Sequence, residues 1–184
     1  MKLLLRLARL VDAVNEGVGR LARWLILACI IISAGNAIAR YGLNLGSNAF
    51  LEIQWYLYSL VFLGAAGYTL RHNAHVRIDL LAGRLGPRAQ AWVDVFGHLF
   101  MLLPVCAIIT WFGWTAFAES WRINEISTDA GGLYRWPIKL AVPLAFALLI
   151  LQGLADTIKK LAWLSGHATG TDAGRSTGSG HPLS

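Results

Sequence analysis

Residues 50–81 read FLEIQWYLYSLVFLGAAGYTLRHNAHVRIDLL, and this stretch decides the fold. Glu52 and Trp55 open it, no charge occurs from Trp55 to Leu70, and Arg71, His72, His75 and Arg77 follow. About 20 apolar residues cross the ~30 Å of bilayer hydrocarbon, with Trp settling at one headgroup layer and basic residues gathering on the cytoplasmic side. The stretch therefore reads as a transmembrane helix over about 52–70 with its basic end inside. Gly64, Ala65, Ala66 and Gly67 bare one side of that helix. In lipid such a surface lets another helix approach closely, in this chain or in a partner.

Composition agrees with this reading. Of the 184 residues 56% are hydrophobic and 14% charged, with a mean hydropathy of +0.53, outside the range of soluble domains. The eight Trp lie mostly near the ends of apolar runs. The formal charge of +6 does not imply nucleic acid, because the basic residues flank apolar segments instead of sharing one polar surface. Cys29 and Cys106 both fall inside predicted spans, so no disulfide framework is expected.

Upstream, Leu3, Leu7, Leu10, Val14 and Val18 recur at helical spacing, with Arg6, Arg9, Asp12, Glu16 and Arg20 around the rest of the helix. This predicts an amphipathic helix lying in the cytoplasmic interface before the chain turns into the membrane. Recurring charges leave no signal-peptide core, so the N-terminus is expected to be retained. The first span is about 24–40, with Asn36 as its strongest polar group, expected to bond a neighbouring helix, and with Arg40 and Tyr41 at its end.

Downstream, residues 71–90 alternate apolar and charged positions, predicting a short amphipathic element between spans 2 and 3. His72 and His75 lack further ligands nearby, so no metal is expected there. The third span is about 91–117. Asp94 and His98, four apart on one face, read as an interfacial polar pair that anchors the helix or meets a partner, a proton relay being the weaker alternative. Pro104 should kink this span. The loop before the fourth span (about 136–158) contains Gly131-Gly132 and reads as an ordered external loop, with Pro137 suited to a helix start and Pro143 to a bend. Residues 1–164 form one membrane domain, and the Gly/Ser/Thr-rich residues 165–184 are expected to be a disordered tail.

Alternating the sides leaves only Arg40, Arg122, Arg135 and Lys139 outside and the other twelve of the sixteen Lys and Arg inside, so both termini are expected to be cytoplasmic. No phosphate loop, zinc cluster or nucleophile elbow occurs, which argues against an enzyme. A haem-binding anchor of a redox complex would need paired axial ligands, and His98 alone lies at a suitable depth. A self-sufficient carrier or channel would place ionisable groups near the midplane, whereas these lie toward the ends of the spans.

Taken together, Asn36 with Arg40-Tyr41, Glu52 and Trp55, Phe62-Leu63-Gly64-Ala65, and Arg71 followed by His75-Val76-Arg77-Ile78-Asp79 resemble the small membrane subunit (DctQ type) of tripartite ATP-independent periplasmic (TRAP) transporters, over roughly 21–164. The resemblance implies a bacterial inner-membrane complex with a large permease subunit, which holds the sodium and substrate sites, and a periplasmic binding protein that delivers an organic acid. On that pattern this chain is a static scaffold without cofactor of its own. Asn36, Arg40, Glu52, Trp55, Gly64, Gly67, Arg71, His75 and Asp79 are its candidate subunit contacts, Glu52 bonding a donor on the large subunit. The loop from Gly131 to Pro137 is similar to a subgroup associated with 2-oxo acids or related carboxylates.

Overall fold

The computed structural model describes residues 2–44, 47–72 and 86–166. The amphipathic element expected between spans 2 and 3, with His75 and Asp79, and the tail from 167 onward lie outside the described residues. The described chain is helical: α1 (Lys2–Gly42), α2 (Asn48–Arg71), α3 (Pro87–Gly97), a π-helical turn (His98–Leu102), α4 (Leu103–Arg122) and α5 (Trp136–Leu164). With α3, the π turn and α4 read as one rod (Pro87–Arg122), four helices are long and apolar enough to cross a membrane. The described chain is thus an all-α membrane protein of four spans.

Local chemistry sets the helix ends. Asn44, at φ 55°, takes the left-handed conformation that stops α1. Pro87 and Pro137 sit in the first turns of α3 and α5, where a missing N–H costs nothing. The kink expected at Pro104 takes the form of the π turn just before it, which accommodates the backbone bond Pro104 cannot make. Pro143 stays within an unbroken α5, fully buried, with its ring against Gly113 of α4, where a Cβ would lie 3.3 Å from Pro143 Cδ.

α5 is the hub, touching α1, α2, α3 and α4, while α1 and α2 form one antiparallel pair and α4 and α5 another. The interior is the inverse of a soluble core. Among the largest fully buried side chains are Gln152, Asn15 and Ser120, whereas Phe62, Met101, Trp111 and Phe112 stand outward. Lipid solvates apolar side chains, so the inward positions go to small and polar residues that let helices close up and bond.

One expectation is corrected here. The predicted interfacial helix and first span are a single helix of 41 residues, about 61 Å long at 1.5 Å per residue. Its inward seam is Ala8, Asn15, Ala22 and Asn36, with half-buried Cys29 between, a spacing of seven that keeps one stripe against α2 and α5. The leucines read as the membrane-facing positions stand on the outward side of this longer helix, Leu3 and Leu10 being 69% and 63% exposed. Small and polar residues, not leucines, make the close helix contact.

Candidate functional site: a four-helix polar clasp

At the end of the bundle where α1 begins and α5 finishes, all four spans contribute polar side chains to one network. α5 provides its axis, since Gln152, Asp156 and Lys160 recur at i, i+4 and i+8 and share a face. Lys160, 5% exposed, donates to Asp94 Oδ2 on α3 at 2.7 Å and lies 2.8 Å from Asp156 Oδ2. His98 Nδ1 stands 3.8 Å from the same Asp156 oxygen. Asp94 and His98 thus share a face as expected, but it turns toward α5. Gly153 lets the π turn come close, because a Cβ there would meet Leu102 Cδ2 at 2.8 Å.

On the α1 side, Lys159 Nζ donates to both Asp12 oxygens, at 2.9 and 3.0 Å, and Gln152 Nε2 donates to Asp12 Oδ1 at 2.9 Å. Asn15 Nδ2 donates to Gln152 Oε1 at 2.8 Å, between two side chains with no exposed surface. From α2, Arg71 Nη1 donates to the Asp12 carbonyl at 2.8 Å and to Glu16 Oε2 at 2.6 Å, and His72 Nε2 lies 3.2 Å from that same oxygen. Gly67 makes this fit possible. A Cβ there would fall 2.0 Å from Asn15 Oδ1, and one at Gly64 would meet Val18 at 3.0 Å.

A second cluster holds the opposite end. The loop between α4 and α5 folds back through the Ile126–Tyr134 bridge and a turn in which the Gly132 N–H donates to Asp129 O at 2.9 Å. Gly131 sits at φ 74°, and a Cβ on Gly132 would overlap Ser127, so both glycines are required. Glu52, buried near the start of α2, accepts from the Ser127 hydroxyl and from the Leu133 N–H at 2.6 Å. Tyr56 donates to Tyr134 O at 3.0 Å, and Asn48 Nδ2 to Ala130 O at 3.3 Å. Lys139 pairs with Glu125. That ammonium holds the Glu125 carboxyl below the usual range for glutamate.

The candidate contacts therefore divide. Glu52, Gly64, Gly67 and Arg71, expected to meet a second subunit, are engaged within this chain, and the donors foreseen for Glu52 on a partner are supplied by its own loop. Trp55, 69% exposed, faces outward, Arg40 is half-buried, and Asn36 is buried in the α1 seam. Asp12, Asn15, Glu16, Gln152, Asp156, Lys159 and Lys160 were not foreseen as a site. Their signal is three sets of polar residues at i, i+4 spacing, 12/16, 94/98 and 152/156/160, at the same end of three helices. As to chemistry, the Lys160 ammonium fills the position between Asp94 and Asp156 that a bound cation would take. The arrangement fastens helices together and presents no activated nucleophile or open acid-base pair.

Against known proteins, no curated protein matches the chain. A family model for tripartite ATP-independent periplasmic transporters, DctQ component, matches residues 29–162, which takes in the last part of α1 and nearly all of the other three spans. The chain therefore belongs to the DctQ family and is a small subunit of a TRAP transporter, not an enzyme.

Proposed function

We propose that this chain is the static, non-catalytic scaffold of a secondary-active importer of an organic acid, working with a large permease subunit and a periplasmic binding protein in a bacterial inner membrane. The observation that carries this reading is the mutual pairing of the buried charges. Lys160 with Asp94 and Asp156, Lys159 with Asp12, and Glu52 with the external loop join all the spans at one end and α2 to the loop at the other. A moving carrier must break its contacts in each cycle, whereas groups bonded to one another at both ends favour one arrangement. The clasp end is cytoplasmic on this reading, which follows the distribution of Lys and Arg. The coupling ion and the solute belong to the large subunit.

Reconstitution tests the proposal. The purified chain alone in liposomes should take up no organic acid under an imposed sodium gradient. Together with the large subunit and the binding protein it should, and uptake by the chain alone would overturn the scaffold reading.

A further inference from the structure

We infer that the outward face of α1 around Arg20 and Arg23 is the surface that docks the large membrane subunit, and that the partner presents carboxylates or other strong acceptors to these two guanidinium groups. The inference rests on the heteromeric reading above and names the place of contact.

At 100° per residue, Arg6, Arg9, Arg20 and Arg23 fall within an arc of about 100° on α1, and Arg20 points nearly opposite to Asn15 and Ala22. All four are exposed, and among the described residues neither Arg20 nor Arg23 forms a hydrogen bond or ion pair. Glu16 exerts a Coulombic pull on Arg20 from one turn away, but its Oε2 already meets Arg71 and His72.

Depth is what makes this unusual. Two contacts bracket these arginines along the antiparallel α2: Gly19 lies against the Tyr68 ring, and Cys29 Sγ lies 3.9 Å from Gln54 O. Arg20 and Arg23 therefore run beside the stretch of α2 from Trp55 to Gly67, which has no charged residue and forms the apolar length of that span. Arg23 stands seven residues, about 10 Å, beyond Glu16, where the clasp marks the end of the apolar zone. Arg6 and Arg9, by contrast, lie past the clasp, where headgroups or water solvate them.

Hydrocarbon offers a guanidinium no acceptor, and intramembrane arginines face protein or a water-filled cavity. Snorkelling toward the headgroups suits a residue one turn from the surface better than one two turns away. The other described helices lie on the far side of α1, so they do not cover the stripe. The exposed Trp24 and Leu27 extend the same side with apolar surface that a helix of the partner can pack against.

The test uses the full chain, tagged and co-expressed with the large subunit. Wild-type chain should copurify that subunit, and Arg20→Leu with Arg23→Leu should lower the copurified amount about tenfold or more, as expected for lost charge-assisted bonds. The amount and thermal stability of the isolated double variant in detergent should stay as in wild type, since neither side chain is bonded to any of the described residues. If the wild type fails to copurify the large subunit, the heteromeric reading fails. If it copurifies and the double variant does so at the wild-type ratio, the docking surface is refuted alone. A photo-crosslinking residue replacing Trp24 in otherwise wild-type chain gives a second readout independent of the variant's folding. Adducts to the large subunit are expected, and adducts to lipid alone would overturn the inference.

Discussion

Lys160 offers the most direct test of the clasp. Its ammonium, 5% exposed, serves Asp94 and Asp156 at 2.7 and 2.8 Å, so Lys160→Met leaves two carboxylates facing each other with little access to water. Removing one member of a buried ion pair costs about 3–5 kcal/mol. Lys159 remains 3.9 Å from Asp156 Oδ1 and softens the loss, which places the expectation near the lower limit, ~3 kcal/mol. For a chain of this size that corresponds to a fall of about 6–12 °C in Tm.

Scanning fluorescence of the eight tryptophans in detergent gives the measurement. The companion variant joins Lys160→Met to Asp94→Asn and Asp156→Asn, replacing the charges by groups that need no counterion. It should recover most of the loss, because exchanging a whole buried pair for neutral residues is often neutral or stabilising. If Lys160→Met alone stays within about 0.5 kcal/mol of wild type, the range of inert surface changes, the pairing does not hold the bundle. If the triple variant is no better than the single one, the loss comes from packing around the lysine stem and not from unpaired charge.

Three further outcomes are expected. Gly67→Leu should force α1 from α2, since even a Cβ meets Asn15 Oδ1 at 2.0 Å, and the resulting loss of about 1–3 kcal/mol would appear in the same melting assay. Glu125 has its carboxyl held low by Lys139, so its contribution to the loop between α4 and α5 is present above the ordinary glutamate value of ~4.3 and is lost as pH falls through a lower one. Proteolysis of the loop by a protease active in acid should accelerate only below that ordinary value, and in Lys139→Met the loop should be cut faster already at neutral pH while the acceleration by acid becomes smaller. For topology, in a background lacking Cys29 and Cys106, Thr128→Cys should react with an impermeant thiol reagent outside intact cells and Ala89→Cys should not; the reverse pattern would invert the orientation. Thr128 is chosen because Ser127 is buried against Glu52.

How far the chain could be read in advance depended on the kind of signal. Spans were legible because each contains a long uncharged run between tryptophans and basic residues, a property of single segments. The small-residue run in α2 was legible as a contact surface, but its partner was not, since Gly64 and Gly67 look the same whether α1 or a second subunit fills them. The in-chain donors of Glu52 were hidden for a related reason. Nothing local indicates that the loop residues Ser127 and Leu133, far along the sequence, return to satisfy it. In the N-terminal stretch the 3.6-residue pattern was correctly seen as helical, but it was read as a separate segment lying in the interface, and its small and polar positions were not read as a helix contact. Ala8, Asn15, Ala22, Cys29 and Asn36 repeat every seven residues and carry the true seam, a pattern that apolar periodicity passes over because its members are small or polar.

The continuity of α1 ties these observations together. The family match begins at residue 29, yet Asp12, Asn15 and Glu16, which close the clasp, lie before it on the same helix. A hinge between an interfacial segment and the span would let those groups part from Arg71, Gln152 and Lys159. An unbroken helix instead fixes their height, because each residue's rise along the axis follows from its number. The same rigidity carries Arg20 and Arg23 to a definite depth beside α2. The inward groups that lock the fold and the outward arginines assigned to the partner are therefore set by one register, so a one-residue insertion between Glu16 and Arg20 would rotate one set by 100° relative to the other. Such an insertion should leave the clasp or the docking surface in place, but not both.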